Sequence, residues 1–164
     1  MGTRSRIGVM HGDKCKSVYC HWDGYLAHNG AILQEHYDSA KANHLVALGN
    51  ISSLGKAIGE AHPFSKFDID KDDPDFDKLV ALNELAEDNG WTTFYMRDRG
   101  EKDQEFQVAH TFDQFLEQVD HCGAEYYYIM RDGVWYVGNN YGNTPLSGKL
   151  VLLTEALALE KETV

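Results

Sequence analysis

Residues 3–10 and 16–22 read as two strands around the turn His11-Gly12-Asp13-Lys14. From about Gly30 the spacing becomes helical, with Ile32, Leu33, His36 and Tyr37 on one face. A second helix is predicted over 40–48, stopped by Gly49-Asn50. The same order recurs further along. Residues 91–96 and 105–110 flank Asp98-Arg99-Gly100 as a second hairpin. Thr111 then caps a helix carrying Phe112, Phe115, Leu116 and Val119, stopped by Gly123. A third hairpin pairs 126–130 with 134–137 around Arg131-Asp132-Gly133, before a final helix over about 149–160. Between the first and second units, Asp73-Pro74-Asp75-Phe76-Asp77 opens a helix that ends at Gly90. Its predicted buried side is Phe76, Leu79, Val80, Leu82 and Leu85. The pattern predicts an α+β fold: a mainly antiparallel sheet built from three hairpin-plus-helix units, with the helices packed on the sheet.

A chain of 164 residues fits one domain, here with an acidic linker over about 62–73. Twenty-six acids against fifteen bases give a formal charge of −11. Such a field repels a phosphate backbone, so direct nucleic-acid binding is not expected. The same charge fits a soluble surface, or a surface that imitates nucleic acid towards a basic partner. No apolar run approaches the roughly 18 residues of a membrane span. The first dozen residues carry Arg4, Arg6 and His11 where a secretory signal needs an apolar core. Cys15, Cys20 and Cys122 are odd in number and unpaired in spacing, which fits reduced thiols in a cytoplasm.

The candidate chemistry gathers in Val18-Tyr19-Cys20-His21-Trp22-Asp23-Gly24-Tyr25. On a strand, alternate residues share a face. Tyr19, His21 and Asp23 therefore point one way, while Val18, Cys20 and Trp22 point to the core. Tyr25 and His28 follow across Gly24. A phenol, an imidazole and a carboxylate at one strand end suit a polar ligand, or a His oriented by an Asp as general base. The bland alternative is a turn at Asp23-Gly24 with side chains serving local backbone. Arg4 and Arg6 share a face of the first strand, where their guanidinium forks suit phosphate or carboxylate, or pair with surface acids. One of them is expected near His21. The predicted ligand-binding set is Arg4, His21, Asp23, Tyr25 and His28.

Other motifs fail on spacing. His21, Asp23, His28 and His36 are metal-ligand types, yet they match neither a metalloprotease helix nor a zinc finger. Cys20 and His21 face opposite sides of a strand, which argues against a thiolate couple. Asp68-x-Asp70-x-Asp72 begins like a calcium loop, then places Asp73 where glycine belongs and Leu79 where a bidentate Glu belongs. Gly55-Lys56 lacks the spacing and the hydroxyl of a phosphate loop. Tyr126-Tyr127-Tyr128, with Trp135 and Tyr136, offers stacking faces, half of which any sheet turns inward. No metal, cofactor or catalytic residue is assigned.

The opening Met1-Gly2-Thr3-Arg4-Ser5, then residues 18–25, His28-Asn29-Gly30 and His36-Tyr37, resembles a family of small proteins encoded by tailed bacteriophages. The likeness spans roughly residues 2–55, including 48–54. It implies a viral origin and expression in the host bacterial cytoplasm, and it brings no catalytic residues with it. Accessory phage proteins of this size often act in host takeover or against host defence. The expected function is binding and sequestration of a small polar or nucleotide ligand. The alternatives are an acidic inhibitor of a host defence protein, and a small hydrolase using His21 and Asp23.

Overall fold

Two strands near the N-terminus form the spine of the molecule. In the computed structural model, which describes residues 3–140 and 150–162, β1 (Ser5–His11) and β2 (Lys14–Trp22) pair antiparallel from Ser5↔Cys20 to His11↔Lys14. A single π-helical turn, Leu26–Gly30, leads into α1 (Ala31–His36) and α2 (Ser39–Ala47). Then come β3 (Ile51–Ser53), α3 (Phe76–Asp88), β4 (Thr93–Phe94), α4 (Tyr95–Arg99) and β5 (Gln107–Ala109). The remaining elements are α5 (Phe112–His121), β6 (Tyr126–Arg131), β7 (Val134–Asn139), β8 (Val151–Leu152) and α6 (Leu153–Glu162).

The strands join in one sheet, ordered β4-β3-β2-β1-β6-β7-β8, with β5 also paired to β2. That sheet is mixed. β1 lies parallel to β6, and β2 lies parallel to β3, because crossovers rather than hairpins connect those neighbours. The α+β expectation holds, and five of the seven strand pairings among the described residues are antiparallel, with two parallel pairings making the sheet mixed.

Two of the three expected hairpins form. In the third, Asp132 (φ 52°) and Gly133 (φ 78°) both take the left-handed conformation of a type I′ turn. The second does not form. Asp98 Oδ2 accepts the Phe94 backbone N–H at 2.7 Å, and Gly100 closes α4 in the left-handed conformation. Asp98-Arg99-Gly100 is therefore a helix end. Phe94 pairs with β3, and residues 107–109 pair with β2.

Three further expectations are corrected. Val151 and Leu152 form a strand edge where a helix was expected, and Lys149 lies outside the described residues. Leu85 is 48% exposed, and Asn83 and Ala86 take the buried positions on α3, with Asn83 Nδ2 donating to Pro63 O. Trp22, the last residue of β2, is 43% exposed and lies outside both cores.

Apolar side chains on the two faces of the sheet build two cores. Ile7, Val18, Cys20, Tyr128 and Val137 pack with Leu33 of α1, Leu45 of α2 and Leu153 of α6. On the other face Cys15, Tyr127 and Ile129 pack with Phe115 and Val119 of α5. Thr111 Oγ1 caps α5 by accepting from Gln114 N. Gly123, at φ 71°, ends it. Among the described residues no helix is long and apolar enough to cross a membrane.

Candidate functional site

The predicted ligand residues separate into two groups. Arg4 and His21 gather about Tyr19. Burial pushes the Tyr19 hydroxyl up to about 12, and the positive charge of Arg4 partly opposes it. The Tyr19 hydroxyl and His21 Nδ1 share a hydrogen bond of 2.5 Å. Desolvation lowers the His21 pKa, and Arg4 lowers it further. Both effects favour the neutral imidazole, and the His21 ring meets Trp22 edge-on at 4.7 Å.

Asp23, Tyr25 and His28 gather instead around the turn 26–30. Asp23 sits at φ 57°, and its backbone carbonyl accepts from Asn29 N and faces His28 Nδ1 at 3.2 Å. His28 Nδ1 donates to Asn29 Oδ1 at 2.9 Å, and the Tyr25 and His28 rings lie 5.9 Å apart. No hydrogen bond or ion pair joins His21 to Asp23 among the described residues. Cys20 is fully buried on the opposite face, its thiol pushed up to about 11 by desolvation.

A cavity of about 250 Å³ opens on the Tyr19 side of the sheet. Its origin is topological. The outer edge of β2 is shared: β3 pairs with Cys20 and Trp22, whereas β5 pairs with Cys15, Lys16 and Ser17. Between them the edge is bridged by a side chain, with Asn50 Oδ1 accepting from Tyr19 N at 2.9 Å. Asn50 also receives the following loop. Its backbone N–H donates to Gln104 O at 2.7 Å, and its Nδ2 donates to Gln104 Oε1 at 2.9 Å. That anchor brings Asp103, Glu105 and Gln107 to the cavity rim, while Gln118, His121 and Cys122 enter from the end of α5.

Arg6 lines the cavity and is only 3% exposed. Its partners are neutral hydroxyl, amide and carbonyl groups, together with the Cys122 thiol. Nε donates to Ser17 Oγ at 2.7 Å, and Nη2 donates to Ser17 O at 3.3 Å and to Gln107 Oε1 at 2.8 Å. No carboxylate lies within ion-pair distance of it among the described residues. Burial lowers its pKa, although an arginine still carries its charge at neutral pH. A buried cation without a counter-charge is costly, and an anion in the cavity would offset that cost. Arg6 was legible as one of two arginines on a face; Gln107, Gln118 and Cys122 had no sequence signal.

A second buried polar group has a different character. Asp98, whose side chain is fully buried, accepts from His62 N and from Arg97 Nε through Oδ1. Arg97 also donates to Ile58 O, Gly59 O and Thr92 O. His62 Nδ1 donates to Glu60 O at 2.7 Å, so Nε2 accepts from Thr93 Oγ1 at 3.1 Å. The set has the composition of a catalytic triad without its geometry. Asp98 lies 3.6 Å from Nδ1, beyond hydrogen-bond range, and both its oxygens are held by other donors. It pins residues 58–62 onto β4 and α4. Among the described residues no three His, Cys, Asp or Glu side chains stand close enough to hold a metal ion.

No protein-family model, curated protein or solved structure matches this chain.

Proposed function

We propose that this chain is a ligand-binding accessory protein that takes a small polar molecule with an anionic group into the cavity over Arg6. One observation carries the reading: a deeply buried guanidinium with only neutral partners borders an open cavity. Arg4 and His21 do not line this cavity; both neighbour Tyr19, which does. Asp23, Tyr25 and His28 belong to the neighbouring turn and have no part in it. At about 250 Å³ the cavity is smaller than the roughly 300–1,000 Å³ of sites that enclose drug-sized ligands. A nucleotide would enter by its phosphate alone. The phage setting implied by the N-terminus gives such binding a use, the sequestration of a small ligand during infection.

Calorimetry with sodium phosphate, sodium acetate and adenosine monophosphate tests this reading. The expected result is saturable binding of at least one probe, weakened about tenfold or more in Arg6→Met, whose folding is checked by its unfolding midpoint. No binding tighter than millimolar by any of the three contradicts it.

A second reading has its own support. Asp68, Asp70, Asp72, Asp75 and Asp77 are all exposed along the approach to α3, a surface suited to covering a basic site on a host defence protein. Capture from host lysate at low salt, lost as salt screens the contact, is its expected signature. Capture insensitive to salt would contradict it.

A further inference from the structure

We propose that the cleft between α3 and residues 61–73 docks a protein segment in which a bulky apolar side chain is flanked by lysines or arginines. The inference rests on the charge-led second reading above and gives that contact an apolar anchor; it is independent of Arg6. Leu79 and Leu82 belong to the apolar stripe of α3, which an amphipathic helix ordinarily turns to a core. Both are only half-buried, and neither joins the two sheet cores. They line instead, with Ala61, Pro63, Phe64 and Ile69, a cleft of about 660 Å³. Nearby in the chain, Phe67 is 86% exposed. The polar groups bordering the cleft are already engaged. Asp98 accepts from His62 N, Phe94 N and Arg97, and Arg99 lies over the Phe64 ring and pairs with Glu101. What the cleft offers an occupant is apolar surface.

Charge decides the occupant. Asp68, Asp70 and Asp73 also line the cleft, and residues 60–88 carry ten acids against three lysines. A nucleic acid or an anionic lipid surface is repelled by that field, whereas a basic protein segment is drawn to it. Size points the same way. The acids run from Asp75 at the start of α3 to Asp88 at its end, about 20 Å at the helical rise per residue. A small cation seated in the cleft cannot span that length; a peptide chain can. A segment carrying charge alone would leave the apolar lining wet, and exposed apolar surface rimmed by polar residues marks interaction sites. A large apolar side chain covers it, as the central anchors of interfaces do.

Two fluorescein-labelled peptides, Lys-Arg-Trp-Arg-Lys-amide and the same peptide with alanine for tryptophan, test this by anisotropy on the full chain. The tryptophan peptide should bind about tenfold or more tightly than the alanine peptide. Added salt should weaken both while the preference persists, because only the charged contacts are screened. Leu79→Gln, its folding checked by the unfolding midpoint, should remove the preference and leave the alanine peptide unaffected. Amide NMR needs no variant: the tryptophan peptide should shift Ile69, Leu79 and Leu82 and leave Arg6 unmoved. Equal binding of the two peptides, a preference that survives folded Leu79→Gln, or shifts that avoid those amides overturns the apolar anchor and leaves a purely charge-led contact standing. If neither peptide binds, the inference falls, and salt-sensitive capture from host lysate decides the second reading by itself.

Discussion

Arg6 Nη2 donates to Gln107 Oε1 at 2.8 Å, tying the first strand to a residue 101 positions further along the chain. The contact closes one side of the cavity with a neutral acceptor where a carboxylate would serve as a built-in counter-ion. Gln107→Glu should supply that ion. Bonds to a charged acceptor contribute more than neutral ones, so stability should rise by about 1 kcal/mol or less at this exposed position. Anion binding should fall about tenfold, since the variant carries its own competitor. Urea unfolding and calorimetry on the same preparation check both halves.

Asp98 serves the opposite role, as a buried carboxylate with every oxygen engaged. Asp98→Ala removes the acceptor for Arg97, His62 and Phe94 at once. Breaking a buried pair in this way should cost about 3–5 kcal/mol. Asp98→Asn keeps one acceptor oxygen and should cost less. Denaturant unfolding of the two variants gives the comparison.

The three thiols differ in environment. Desolvation pushes Cys15 up to about 12 and Cys20 to about 11, and both are buried. Cys122 is partly exposed at the cavity. Alkylation of the native protein at pH 8 should modify Cys122 first, with Cys15 and Cys20 reacting only on unfolding. Bound ligand should slow the Cys122 reaction. Peptide mapping after timed alkylation reads the order directly.

His21 gives the pH dependence its sign. Its folded pKa is lowered, by desolvation and then by Arg4, so the unfolded chain binds the proton more readily. Between the folded pKa and the ordinary value near 6.5, stability should therefore rise with pH, and acidification through that window should reduce it. Arg4→Gln should raise the His21 midpoint part of the way back, because the larger desolvation effect remains. Proton NMR titration of the His21 ring follows it, and a midpoint at or above the ordinary value would refute the assignment.

Local signals in the chain were legible where local chemistry decides structure. Thr111 and Gly123 bracket α5 as expected, and Asp132-Gly133 makes the turn its residues demand. Long-range choices were hidden. Nothing local distinguishes a strand at 105–110 that pairs with 91–96 from one that crosses to β2; in the fold Asp98 accepts from Phe94 N within α4, and residues 107–109 pair with β2. The site shows the same division. Strand alternation separated Tyr19 and His21 from Cys20, and the first hairpin sets Arg6 opposite Tyr19. It placed Trp22 in a core that ends short of it. Asp23 lay beyond the strand, where a left-handed turn breaks the alternation. The cavity itself arises from the parting of β3 and β5 along β2, which depends on pairings between distant segments.

The central claim is that Arg6 is the anion-binding group, and its Nε–H proton reports on it. That proton is held against Ser17 Oγ, 2.7 Å away, and should give a resolved NMR signal. Titration with sodium phosphate, with sodium acetate as a second probe, should move the Arg6 Nε–H resonance along a saturable curve, together with the backbone amides of Tyr19 and Gln107. An Arg6 signal that stays fixed while other resonances shift, or that drifts only with ionic strength, would contradict the account.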